Sequence, residues 1–257
     1  MWVYTIFCLV MVGQVMGRDI HITGRISQGH EVTEGQFPYQ VFITYIRGIY
    51  QSTCGGAIIS KKYILTGAHC LDAEFISDPS SVIVRVGSIY RNNGTDLTIT
   101  RALRHPNFNS DNNNNDVAVL TTDKDMVFND NIKAIDLPPK NRDVEGEVTV
   151  SGWGRLQYSV PQLPLRMRYA DIPVLDYDSC KRTYGPKLTE NMWCAGNYTM
   201  GEPSPCIGDS GGPAEQDDLL VGIVSRGRRC AETGFPTIFT NIASPSVRDF
   251  IKQTTGL

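Results

Sequence analysis

Lysine and arginine form no long run in this 257-residue chain, and the formal net charge is −3. The sequence therefore offers no basic footprint for a nucleic-acid partner. No apolar stretch reaches the roughly 20 residues that a membrane-spanning helix needs. The longest lies within MWVYTIFCLVMVGQVMG, residues 1–17, which closes on Val15-Met16-Gly17 and reads as a secretory signal rather than an anchor. The cysteine spacings match none of the usual zinc patterns. IYRNNGTDLTIT lacks the clustered carboxylates of a calcium loop, so neither a metal nor a cofactor is expected. Histidine is scarce: His21, His30, His69 and His105 are the full supply. Helical periodicity is scarcer still. Only SPSVRDFIKQT near the C-terminus reads as a helix, with Ser244 or Ser246 as its cap.

What is present is short, β-rich and punctuated. YQVFITYI, YILTG, SVIVRVG, DVAVL, EVTVSGW, LLVGIVS and PTIFTNI recur between Gly, Pro, Asn and Asp, which predicts an all-β sandwich or barrel. PPKNRDVEG, residues 138–146, is the best linker between two β halves, and DNNNND, 111–116, reads as a surface turn. Of the seven cysteines, Cys8 leaves with the signal. The remaining Cys54, Cys70, Cys180, Cys194, Cys206 and Cys230 suffice for three bridges, with their pairing open. Asn93-Gly94-Thr95 and Asn197-Tyr198-Thr199 are N-glycosylation patterns.

CIGDSGGP, residues 206–213, sets Ser210 in a glycine cluster matching G-x-S-x-G, the pattern of a serine exposed on a strained turn. A serine hydroxyl needs a base to become a nucleophile, and that base is commonly a histidine oriented by a carboxylate. All four histidines precede Ser210, which excludes the serine, acid, histidine order of α/β-hydrolases. His69 has the best setting, at the end of the apolar YILTGAHC and beside a cysteine, whereas His30 and His105 sit in polar, turn-like sequence. Asp116 opens the strand VAVL, where a carboxylate can be half buried and aimed inward.

LTGAHC, NDVAVL and CIGDSGGP in this order, together with CGGAIIS at 54–60 and VSGWG at 150–154, resemble the trypsin-like, chymotrypsin-fold serine proteases from about Ile26 to the C-terminus. The resemblance implies two six-stranded antiparallel β-barrels, about 26–137 and 138–257, with the active site between them and a C-terminal helix. It implies bridges Cys54–Cys70, Cys180–Cys194 and Cys206–Cys230. It implies a catalytic triad of His69, Asp116 and Ser210, with the N–H groups of Gly208 and Ser210 as oxyanion hole. A propeptide, residues 18–25, would be removed at Arg25-Ile26 by a trypsin-like protease, and the new amine would pair with Asp209. The primary pocket aligns on Ser204, Gly227 and Thr237, bordered by Ser225 and Arg226, which suggests medium apolar residues before the cleaved bond. Four positions depart from the family pattern: Ser27-Gln28 stand for Val-Gly, Arg226 for a tryptophan, and Thr237 for a glycine. The expected function is a secreted serine endopeptidase made as a zymogen, a monomer acting on proteins and peptides and open to protease inhibitors. A non-catalytic binding or cofactor protein on the same scaffold is the alternative.

Overall fold

The computed structural model describes residues 29–47, 50–196, 203–230 and 232–257. The segments read as leader (1–17) and propeptide (18–25), the expected Arg25-Ile26 cleavage point and Asn197 lie outside them. β-Branched and aromatic runs between turn residues form β1 (His30–Glu31), β2 (Gln40–Arg47), β3 (Tyr50–Ile58), β4 (Tyr63–Thr66), β5 (Ile83–Val86), β6 (Thr95–Leu97), β7 (Ile99–Arg104) and β8 (Ala118–Thr122). There follow β9 (Glu147–Gly152), β10 (Arg168–Leu175), β11 (Met192–Ala195), β12 (Pro213–Gln216), β13 (Leu219–Arg226) and β14 (Thr237–Asn241).

The first sheet runs β6-β5-β2-β3-β4-β8-β7, every pair antiparallel. Thr98 alone separates β6 from β7, so the two make one bent strand that pairs β5 at its start and β8 beyond, closing a ring of six. In the second sheet β10 pairs both β11 and β9, which closes β9-β10-β11-β14-β13-β12. Barrel closure leaves few open edges for other chains to pair with. β1 lies outside this ring, on the edge of β10, through His30↔Tyr169 and Glu31↔Arg168.

The first barrel is filled by Val41, Ile43, Ile64, Val84 and Leu120, all fully buried. Burying each side chain of this kind contributes roughly 1.5–3 kcal/mol relative to leaving it exposed. Trp153, from VSGWG, ties the barrels together: its ring meets Phe42 edge-on at 5.5 Å and its Nε1–H donates to Ile89 O at 3.0 Å. The bridges are Cys54–Cys70, Cys180–Cys194 and Cys206–Cys230. Closing a loop of about 15 residues is worth about 3 kcal/mol in the chain-entropy description.

The expected C-terminal helix is Pro245–Thr255, which buries Val247, Phe250 and Ile251 and ends on Gly256 in the left-handed region. Two further helices escape the sequence reading. α1 (Ala73–Ser77) and α2 (Tyr177–Tyr184) are too short to show a period, and each is set by a cap, Asp72 accepting from Phe75 N–H and Asp176 from Ser179 N–H. The C-terminal helix, α3, also covers His105, which opens the turn its sequence suggests, with Phe108 N–H donating to its carbonyl at 3.0 Å. His105 is buried, its ring 4.9 Å from that of Phe250, with Nε2 3.2 Å from Ser246 O and Nδ1 accepting from Asn107 N–H.

Burial holds the His105 pKa below the ordinary histidine value, against a smaller upward pull from Ser246 O. A histidine depressed in the fold contributes stability that is present above about pH 6.5, its unfolded value, and lost as pH falls toward the lower folded value. The melting temperature between pH 7.5 and 5.5 is therefore expected to fall more steeply for the natural chain than for His105→Gln. Equal slopes would assign the acid sensitivity to other groups.

Candidate active site

β4 runs into Gly67 and a single 3₁₀ turn, Ala68–Cys70, which carries His69 out of the first barrel. Cys70 is bonded back to Cys54 of β3, so the turn is anchored on both sides. Asp116 enters from the other direction, between the asparagine tract and β8. The tract is no simple surface turn. Asn113 and Asn115 adopt φ +61° and +56°, left-handed conformations that asparagine tolerates better than most residues, and Asn115 is buried. Asn114 Oδ1 accepts from Thr189 Oγ1 at 2.7 Å and Asn191 Nδ2 at 3.0 Å, clamping the loop onto the second barrel.

This clamp delivers Asp116 fully buried and surrounded by donors. Its Oδ1 accepts from His69 N–H at 2.8 Å, and its Oδ2 lies 2.7 Å from His69 Nδ1. Oδ2 also accepts from Ser225 Oγ at 2.6 Å, with Asn113 Nδ2 3.4 Å away, and Thr240 Oγ1 donates to the Asp116 carbonyl at 2.9 Å. Burial works against the His69 imidazolium, but the charge of Asp116 and its hydrogen bond outweigh it, so the His69 pKa lies above the ordinary value. The support from Ser225 and Asn113 was invisible in sequence. Ser225 read as a border of the substrate cleft, and only the crossing of β13 beneath Asp116 gives its hydroxyl a second partner.

Ser210 lines one cleft with His69, a cavity of about 380 Å³ between the barrels. The Ser210 carbonyl accepts from Gly55 N–H at 2.7 Å, while Gly211 N–H to Val224 O and Val224 N–H to Gly212 O hold the loop on β13. Among the described residues the Ser210 hydroxyl makes no hydrogen bond, and the N–H groups of Gly208 and Ser210 have no acceptor. Catalytic hydrogen bonds are often long or absent without substrate. Gly208 sits at φ +104°, where a side chain would be strained, which lets its N–H share a turn with that of Ser210.

Asp209 turns away from the cleft and is buried. Its carboxylate accepts from Gly154 N–H at 2.7 Å and Cys206 N–H at 2.9 Å, and burial pushes its pKa up to about 6. Any β-carbon at Gly154 would run into both Asp209 oxygens, so VSGWG is shaped to admit this carboxylate.

The pocket residues divide. Gly227 and Thr237 both line the cleft and face each other, for a β-carbon on Gly227 would meet Thr237 Oγ1 at 3.7 Å. Ser204 is fully buried and is not among the residues that line the cleft, whereas its neighbour Pro205 is. Arg226 also lines the cleft; Arg228 stacks on Phe235 at 4.2 Å and pairs with Glu232 at 3.7 Å, and Arg229 lies 5.8 Å from the Tyr158 ring. A larger cavity, about 650 Å³ beside Trp193, Leu175 and Glu190, contains none of these groups. Cys54, His69 and Cys70 approach metal-binding distance, but both sulfurs are held in a disulfide and offer no thiolate.

The family model described as Trypsin matches residues 26–251. The chain is similar to Trypsin Blo t 3 of Blomia tropicalis, 32% identical over 95% of this chain and 96% of that protein. It is also similar to Trypsin Tyr p 3.0101 of Tyrophagus putrescentiae, 34% identical over 86% and 77%, and to Hypodermin-B of Hypoderma lineatum, 34% identical over 90% and 88%. A match of this extent to the family, on two closed antiparallel barrels with a C-terminal helix, shows that the chain belongs to the trypsin-like serine proteases of chymotrypsin fold.

Proposed function

We propose that this chain is a secreted serine endopeptidase, made as a zymogen, that cleaves after medium apolar residues through His69, Asp116 and Ser210. The observation that carries the reading is the couple of buried Asp116 and part-buried His69 at 2.7 Å, opening on the same cleft as Ser210, with the N–H groups of Ser210 and Gly208 unpartnered among the described residues. Ser210 Oγ attacks the scissile carbonyl while His69 Nε2 takes its proton, and the oxyanion settles against the N–H groups of Gly208 and Ser210. The carbon–nitrogen bond then breaks, His69 returns the proton to the departing amine, and an acyl-enzyme remains. Water attacks the ester with His69 again as base, which releases the acid and restores Ser210. Asp116 holds the imidazole in one tautomer and stabilises its cationic form.

Cleavage at Arg25-Ile26 by a trypsin-like protease supplies the amine that the buried, desolvated Asp209 requires. An α-amino group titrates near pH 7.7–8.0, and pairing with an anion raises that value. The active conformation is therefore held at neutral pH and lost as pH rises through the raised value. Asn93, exposed in a turn, is the proposed glycan site among the described residues.

Specificity follows from the absence of an acid at Ser204 and the branched side chain of Thr237 facing Gly227. A pocket without a carboxylate gives no partner to Arg or Lys, so the active enzyme is not expected to cut its own Arg25-Ile26 bond. Purified precursor incubated with a trace of active enzyme should release no Ile26 N-terminus, while added trypsin should. Efficient self-processing would overturn the pocket assignment. Peptide-library profiling of the trypsin-activated protein, after selective inactivation of the trypsin, tests the whole reading: serine-inhibitor-sensitive cleavage after Leu or Met is expected, and no cleavage would refute it.

A further inference from the structure

Gly208 and Ile207 border a second cavity, of about 450 Å³, which among the described residues shares only Ile207 with the cleft of His69 and Ser210. Among the described residues two cations line it and no carboxylate does: Arg91, in the turn after β5, and Arg155, just beyond β9, with Pro161 and Leu163 as apolar wall. Arg155 is placed beside the nucleophile loop by its own backbone, whose N–H donates to Ile207 O at 2.8 Å. Arg91 is steadied by Nε donating to Pro164 O at 3.2 Å, which leaves its terminal nitrogens uncommitted among the described residues. Arg85, Arg142, Arg166, Arg168 and Arg228 each have a carboxylate partner. Arg91 and Arg155, half-buried in one hollow, have none among the described residues.

We propose that this cavity is a subsite for acidic residues on the leaving-group side of the cleaved bond. The proposal rests on the reading of the cleft given above. A substrate whose acyl side lies along Ser225–Gly227 crosses Ser210 and must continue past Gly208 into the second cavity. At roughly 3.3 Å per extended residue, a side chain within three residues of the bond reaches it. Two guanidinium forks in a concave, partly desolvated wall focus a positive field and match carboxylate geometry. The apolar wall accommodates the methylenes of Glu.

The test uses active protein and paired peptides identical except for Glu, Gln or Lys at the second position after the scissile bond, with the kcat/KM ratio within each protein as readout. A Glu over Gln preference of about 5-fold is expected at low salt, with Lys worst, shrinking as salt shortens the screening length to about 8 Å at 0.15 M and below. The ratio should fall toward unity in Arg91→Gln/Arg155→Gln and lie between in Arg155→Gln, which keeps the Arg91–Pro164 contact. A natural enzyme indifferent to Glu, or a preference that survives the double substitution, overturns the subsite. If no peptide is cut, the protease reading fails, and equilibrium binding of the same peptides judges the cavity alone. Tighter binding of the Glu peptide that is lost in the double variant then supports it, and equal binding overturns it.

Discussion

Replacing Ser210 with alanine is expected to lower turnover by about 10⁴–10⁶-fold and leave the fold and melting temperature almost unchanged. The stability half follows from the site: the hydroxyl has no hydrogen-bond partner among the described residues, and the loop is held by main-chain bonds to Gly55 and Val224 that alanine preserves. The activity half follows from chemistry, since the proposed mechanism forms its acyl intermediate on the Ser210 oxygen and alanine offers none. Labelling by a serine-directed phosphonate should disappear with the hydroxyl. Near-natural peptide hydrolysis by an alanine variant free of contaminating protease would remove the nucleophile and with it the mechanism.

Asp116→Asn is expected to cost about 10⁴-fold in turnover, a loss typical of amide for acid in this kind of triad. The buried site has donors converging on the carboxylate from His69 N–H, His69 Nδ1 and Ser225. An amide offers one acceptor oxygen, so its NH₂ must either oppose the His69 N–H at the Oδ1 position or take the Oδ2 position, where it faces both Ser225 and His69 Nδ1 and stabilises the wrong tautomer. The pH profile separates this from simple misfolding. In the natural enzyme the acid limb of kcat/KM is expected above the ordinary histidine value, because Asp116 raises the pKa of His69 despite burial. His69 must be neutral to act as base, so removing the charge should move the limb to lower pH while depressing its plateau. An unmoved limb would show that Asp116 does not set the basicity of His69.

What could be read in the chain alone was local or combinatorial. The signal-like leader, the surplus of short β runs and the even number of cysteines after Cys8 are properties of segments. The order of His69, Asp116 and Ser210 is a property of their sequence positions, and it sufficed to discard one hydrolase class, while the motifs LTGAHC, NDVAVL and CIGDSGGP pointed to the family. The tertiary structure decided matters that depend on which distant backbones meet. Asp116 is made fully buried by an asparagine loop clamped to Thr189 and Asn191, 75 and 77 residues away, a contact that no local pattern in DNNNND encodes. Ser225 became a donor to Asp116 because β13 passes beneath it. His105 sits in the turn its sequence suggested, and α3 buries it there. The cationic pair of Arg91 and Arg155, 64 positions apart, exists only because the two barrels bring a turn of one beside a loop of the other. Hydrophobic alternation and turn chemistry act over a few residues and so survive in the linear sequence. Burial, shared protons and facing charges are set by three-dimensional neighbours, and in a fold built from long-range antiparallel pairing those neighbours lie far apart along the chain.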